Sequence, residues 1–169
     1  GSVSIAGAAV QWLRDNLNLI ENSEDIESLA MSVKDNGDVY FVPAFSGLFS
    51  PHWDETARGV LVGLSRFSNK SHIARAVLES VAYQSNELLE SMEKDIGTTF
   101  DTVNVDGGMV VNNLLMQFQS DIFDKKVTSQ KINEITALGA GAAGYLFINS
   151  LPLENMNSFI TQSKTWNPN

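Results

Sequence analysis

Cysteine is absent from all 169 residues, which excludes disulfides, thiolate nucleophiles and zinc–thiolate sites. The absence suits a reducing compartment, so a cytoplasmic location is expected. Histidine is scarce, with His52 and His72 alone. They do not form the HxxxH or HExxH spacing of a histidine metal site, so no metal ligand is assigned. A serine-hydrolase triad would need one of them, yet GxSxG does not occur. The GxxxxGK[ST] phosphate loop is missing too. Positive charge is sparse, with 11 Lys and Arg against 20 Asp and Glu and a formal net charge of −9. Such a chain does not neutralise a phosphate backbone, which argues against a nucleic-acid partner. A single nucleotide is still open to it. A helix N-terminus holds a phosphate ester without a basic surface, and magnesium neutralises further phosphate charge. No apolar run reaches the roughly 18 residues of a membrane span; the longest, 137–148, is laced with glycine. No basic segment followed by an apolar core marks a secretory signal.

What is present is an ordinary globular composition, 43% hydrophobic and 18% charged. The length suits one domain. No repeat, biased tract or linker divides it, so residues 1–169 are expected to form a single unit. Residues 2–6 alternate as a short strand, and Gly7 opens a helix to about Ile20 with Val10, Leu13, Leu17 and Ile20 at helical spacing. Ser23 starts a second helix to about Val33. Asn36-Gly37-Asp38 is a turn, and 39–42 is a strand that Pro43 ends. Residues 45–55 are irregular and 59–64 form a strand. Asn69 or Ser71 caps the longest helix, to about Ile96. Strands follow at 103–105 and 127–129. Helices are expected from Gly108 to about Phe123, from about Glu134 to Phe147, and from Leu153 to Gln162. The pattern is α/β, a sheet covered by helices.

The sharpest local feature is Val105-Asp106-Gly107-Gly108, a strand running into two glycines and a helix. Glycines there let a ligand approach the backbone, and the helix that follows offers free N–H groups and the positive end of its dipole. Asn112 comes four residues after Gly108, on the same expected helix face, where its amide reaches a base or ribose edge. Gly7 and Gln11 repeat this arrangement after the first strand. A crevice between two strand ends is the functional reading; a tight turn without a ligand serves the Gly107-Gly108 motif equally, and taken alone Gln11 reads more simply as a surface glutamine. Gly139-Ala140-Gly141-Ala142-Ala143-Gly144 matches GxGxxG, but a helix start rather than a strand precedes it, so it is not a dinucleotide fingerprint. Close helix–sheet packing is expected of these glycines, with Gly139 within reach of a ligand on a crevice wall. No residue is assigned catalysis.

Three segments carry a resemblance. They are 4–15 (Ser-Ile-Ala-Gly-Ala-Ala-Val-Gln-Trp-Leu-Arg-Asp), the run from Val42-Pro43-Ala44-Phe45-Ser46-Gly47-Leu48 through Pro51-His52-Trp53-Asp54 and Ala57-Arg58-Gly59 to Glu79-Ser80, and Val105-Asp106-Gly107-Gly108 with Asn112-Asn113, 115–122 and 136–140. In order and over almost the whole chain, they resemble the carboxyl-terminal domain of the glycerol kinases within the FGGY family of carbohydrate kinases. The resemblance implies a ribonuclease-H-like domain of the actin/hexokinase superfamily, a mixed sheet flanked by helices, here incomplete at its N-terminal strands. It implies ATP as cosubstrate with Mg²⁺, and Gly7, Gln11, Gly108 and Asn112 as nucleotide-binding residues. It implies γ-phosphoryl transfer to glycerol, with the catalytic aspartate and most glycerol contacts in an amino-terminal domain outside these residues. Glycerol, ATP and that domain are the implied partners, and a homo-oligomer is left open. The alternatives are an FGGY kinase for xylulose, gluconate or ribulose, and a non-catalytic nucleotide-binding module. His52 stands where the family usually carries a tyrosine, and Gly141 and Tyr145 vary the usual small-residue pattern.

Overall fold

The computed structural model describes residues 3–132, 135–159 and 162–169. Its spine is helix α3, Lys70–Ile96. The Asn69 side chain accepts hydrogen bonds from the Ser71 and His72 backbone N–H groups, while His72 Nδ1 accepts from Asn69 N at 3.2 Å. Three otherwise unpaired donors are thereby satisfied, two by Asn69 and one reciprocally by His72, which fixes where the helix starts. Gly97, at φ +70°, ends it in the left-handed conformation. Ala74, Val77, Leu78, Val81 and Ala82 are buried along its length, because other elements pack on several of its faces. These are α1 (Gly7–Asp15), α2 (Asp25–Met31), strand β1 (Tyr40–Val42) and α4 (Asn113–Phe123).

Two small sheets complete the core. β1 pairs antiparallel with β2 (Val60–Val62), placing Phe41 opposite Leu61. Phe41 stacks on Trp12 of α1, centroids 5.5 Å apart and planes 5° from parallel. β3 (Thr102–Val105) pairs in parallel with β4 (Lys126–Gln130), and β4 pairs antiparallel with β5 (Gln162–Trp166). The sheet is therefore mixed, in the order β3-β4-β5. Among the described residues nothing pairs with the outer edge of β3. α5 (Ile135–Ile148) buries only Ala142 and Leu146.

Several expectations are corrected. Val3 is irregular and residues 4–6 form bends, not a strand, since no described strand lies beside them to complete a ladder; Ser2 lies outside the described residues. α1 stops at Asp15 rather than Ile20. The Asn16 and Leu17 N–H groups share the Trp12 carbonyl, and Asn18 sits at φ +53°. The stretch after Gly108 is a 3₁₀ turn, Gly108–Val111, and α4 begins only at Asn113. The last helix is replaced by a 3₁₀ turn, Leu153–Phe159, and by β5; residues 160 and 161, and Glu134 at the expected start of α5, lie outside the described set. A Cβ at Gly139, Gly141 or Gly144 would meet none of the described residues within 4 Å, so those glycines serve no close packing among them.

Glu93, near the end of α3, anchors the approach to β3. Its Oε1 accepts from Phe100 N at 2.7 Å and pairs with Lys125 Nζ at 3.1 Å. The Phe100 hydrogen bond, then Lys125, hold the carboxyl below its usual range against the opposing effect of burial. A carboxyl depressed in the fold contributes stability above its unfolded value and loses it as pH falls through the folded one. Glu93→Gln is therefore expected to flatten the acid limb of Tm against pH below about 4.3. Parallel wild-type and variant profiles in that range would contradict the assignment.

Candidate functional site

A cavity of about 940 Å³ opens between α1, α2, α3, β3 and α4, within the usual size of a small-molecule site. Gly7, Gln11, Gly108 and Asn112 all line it. The fold thus brings together the four residues singled out in the sequence, though not as two strand ends. One wall is the β3 end; the other is the bend that enters α1.

The β3 wall is built in steps. After Val105 and Asp106 the chain reaches Gly107 at φ 94° and ψ 174°, a region open essentially to glycine alone. The 3₁₀ turn follows, and Asn112 is extended at φ −79° and ψ 104°. A Cβ at Gly7, Gly107 or Gly108 would meet nothing within 4 Å. Absent side chains at Gly7 and Gly108 therefore widen the cavity rather than relieve a clash.

Asn112 is buried, at 5% exposure. It is not one turn along a helix from Gly108, as its spacing suggests, but the N-cap of α4, its Oδ1 accepting from Leu115 N at 2.8 Å. The Asn112 carbonyl accepts from Met116 N at 3.1 Å. Glu27 Oε1 on α2 accepts from Leu114 N at 3.0 Å. The N–H groups of Leu114, Leu115 and Met116 are therefore satisfied within the protein, with a carboxylate against the positive end of the helix. The free N–H groups expected here for a phosphate are not on offer at these positions. With Oδ1 engaged, what Asn112 presents to a ligand is its amide nitrogen, two donors.

The remaining electrostatics agree. Glu24, Glu27 and Asp106 line the cavity, and among the described residues no Lys, Arg or His does. Apolar Leu88, Leu89, Met92, Phe100, Val103 and Phe123 line it as well. This environment accepts a flat, uncharged, hydrogen-bonding group and disfavours a polyanion. Gln119 adds an unmet acceptor. Its Nε2 donates to Ser85 Oγ at 3.1 Å, while its buried Oε1 has no hydrogen-bond partner among the described residues. Neither Glu27 nor Gln119 was singled out by motif. Gln119 leaves a faint signal, a polar residue on the apolar α4 face of Leu115, Met116 and Phe123.

The other candidates lie elsewhere. His52 Nε2 sits 3.3 Å from Glu87, and His72 belongs to the α3 cap. Neither histidine lines the cavity, and Gly139 does not either. Among the described residues no group of three His, Asp or Glu side chains could cage a metal ion.

The FGGY family of carbohydrate kinases, C-terminal domain, matches residues 1–146. The chain belongs to the FGGY family. A glycerol kinase of Brucella anthropi is 62% identical over 148 residues, covering 88% of this chain and 30% of that protein. The glycerol kinase of Methylorubrum populi is 54% identical over 169 residues, covering 99% and 34%. The chain thus spans about a third of the length of the curated relatives it matches. Among solved structures, Plasmodium falciparum glycerol kinase with ADP superposes at a TM-score of 0.87 with 33% identity, covering 99% of this chain and 34% of that one. Gluconate kinase from Lactobacillus acidophilus gives 0.81 and 25%, covering 96% and 34%. The FGGY chain accordingly has the actin/hexokinase-like fold, seen here as small mixed sheets flanked by helices. No helix among its described residues is long and apolar enough to cross a membrane.

Proposed function

We propose that residues 1–169 act as one unit, the nucleotide-binding part of an ATP-dependent glycerol kinase. That enzyme transfers the ATP γ-phosphoryl group to a glycerol hydroxyl, giving sn-glycerol 3-phosphate and ADP. The observation that carries the reading is the convergence of Gly7, Gln11, Gly108 and Asn112 on one cavity whose described lining holds no basic side chain. Such a cavity favours the adenosine end of the nucleotide: a flat base seats against apolar walls, and the Asn112 amide donates to an acceptor on base or ribose. Glycerol as acceptor is supported by 51–62% identity to curated glycerol kinases and, among solved structures, by 33% identity to a glycerol kinase against 25% to a gluconate kinase and 26% to a xylulose kinase.

Phosphoryl transfer rests on positioning and charge stabilisation, and we assign none of that step to this chain. Mg²⁺ enters with the phosphates, retaining water ligands as this ion usually does; no described residue of the chain is assigned to it. The γ-phosphate, glycerol and the proton-accepting aspartate belong with the amino-terminal domain that completes the enzyme. We place that enzyme in the cytoplasm.

The chain alone is expected to give no glycerol-dependent ADP formation and to bind ADP more weakly than micromolar. An amide-resolved NMR titration with ADP is expected to move Gly7, Gln11, Gly108 and Asn112 first. Coupled-assay turnover above background would overturn the division of labour. ADP-dependent shifts that spare all four residues would overturn the site.

A further inference from the structure

Resting on that nucleotide reading, we propose that Glu27 is a positioning residue for the adenosine wall, holding the loop that carries Gly107, Gly108 and Asn112. Val110 seats the middle of this loop in the core, but its glycine end has little to hold it. A Cβ at Gly107 or Gly108 would meet nothing within 4 Å, so neighbours do not clamp the backbone there. Its far end is the first turn of α4, where Glu27 Oε1 accepts from Leu114 N at 3.0 Å across 87 residues of sequence. Glu27 has a firm base, since Ile26 and Ala30 of the same helix are buried in the core and α2 packs on α3. The bond thus ties α4, at the residue that follows Asn113, to the α3 spine.

Its partner bond is local. Asn112 Oδ1 accepts from Leu115 N at 2.8 Å, which fixes Asn112 relative to α4 but not relative to the opposite wall. Glu27 supplies that second reference. Two bonds to consecutive N–H groups, one from α2 and one from Asn112, settle both where α4 begins and how the Asn112 amide is turned. Glu27 lines the cavity together with Ser23 and Glu24 of the same segment, so displacement of α2 from α4 would widen the mouth directly. A carboxylate also suits the positive end of a helix.

The test is an ADP titration of the full chain followed by NMR, with three variants. Glu27→Ala removes the acceptor and is expected to weaken ADP binding about fivefold to tenfold, the effect of one lost capping-type hydrogen bond. Glu27→Gln keeps an oxygen at the same reach and is expected to stay within about twofold of wild type. Asn69→Ala removes the cap of α3, far from the cavity. It is expected to lower Tm as a lost cap does and leave ADP affinity unchanged, which separates positioning from general destabilisation. Hydrogen exchange of the Leu114 amide is read in parallel and should accelerate in Glu27→Ala alone. The proposal fails if Glu27→Ala binds ADP as wild type does, if Asn69→Ala weakens binding equally, or if Glu27→Gln is as impaired as Glu27→Ala. If wild type shows no ADP-dependent shift at the cavity, the nucleotide reading fails. Leu114 exchange then decides the remaining claim, since unchanged protection in Glu27→Ala overturns the tether as well.

Discussion

Gly63→Ala is expected to destabilise the chain by about 3 kcal/mol or more, enough to leave much of a marginally stable domain unfolded. Gly63 lies just after β2 at φ +81°, where an L-residue is strained by about 1–2 kcal/mol on conformation alone. The larger part is steric. A Cβ there would sit 1.8 Å from the Asp38 carbonyl oxygen and 2.8 Å from its carbon. Those atoms are backbone, so no side-chain rotation relieves the overlap; the chain has to move. Asp38 is itself held at φ +60° and leads into Val39, which is fully buried. Pushing Asp38 aside therefore draws on Val39 and on β1, whose Phe41 stacks against Trp12. Gly37 is the internal contrast. It too has positive φ, but the atom its Cβ would meet at 2.7 Å belongs to the His72 ring, a side chain. Gly37→Ala should thus be the milder change. Urea unfolding followed by near-ultraviolet circular dichroism checks both; a Gly63→Ala variant within about 1 kcal/mol of wild type would falsify the steric argument.

The contrast between α3 and the β3–α4 connection shows what the sequence could convey. α3 was legible because its apolar residues recur at helical spacing over many turns and a capping residue marks its start. The β3–α4 connection was half legible. Two glycines after a strand signal a turn, and that turn lines the cavity, but the spacing from Gly108 to Asn112 reads as one α-helical turn where the chain makes a 3₁₀ turn. Val110 and Val111 are β-branched and poor at starting a helix, whereas asparagine is among the best N-caps. Weighing those two preferences would have moved the helix start to Asn113. β5 was not legible at all. It exists because β4 offers a free edge to Lys164, Thr165 and Trp166, a fact that only tertiary structure supplies. Residues 3–6 fail for the opposite reason, an alternating pattern with no described strand to pair with. Glu27 was invisible because it acts through one long-range contact, and no spacing rule encodes a hydrogen bond across 87 residues; Gln119 left only the faint signal of a polar residue on an apolar helix face.

The double duty of Asn112 gives the second large effect, and it separates by substitution. Asn112→Ala removes both the cap on Leu115 N and the amide donors. It should cost about 1 kcal/mol of stability and weaken nucleotide binding about tenfold or more, the loss of a buried hydrogen bond to the ligand with its partner left unmet. Asn112→Asp keeps the capping oxygen and places a negative charge at the helix N-terminus, where it is favourable. Its stability should match or exceed wild type. Yet it offers carboxylate oxygens where the asparagine offered donors, in a cavity already lined by Glu24, Glu27 and Asp106. Nucleotide binding should therefore fall at least as far as in Asn112→Ala. Thermal unfolding and ADP titration of the two variants check the pair together. In the complete enzyme the same changes should raise the apparent KM for ATP more than that for glycerol, because the proposed contact is with the adenosine side alone. Retention of ADP binding by Asn112→Asp would mean that the side chain serves only as a cap, and an effect confined to the KM for glycerol would place the adenosine elsewhere.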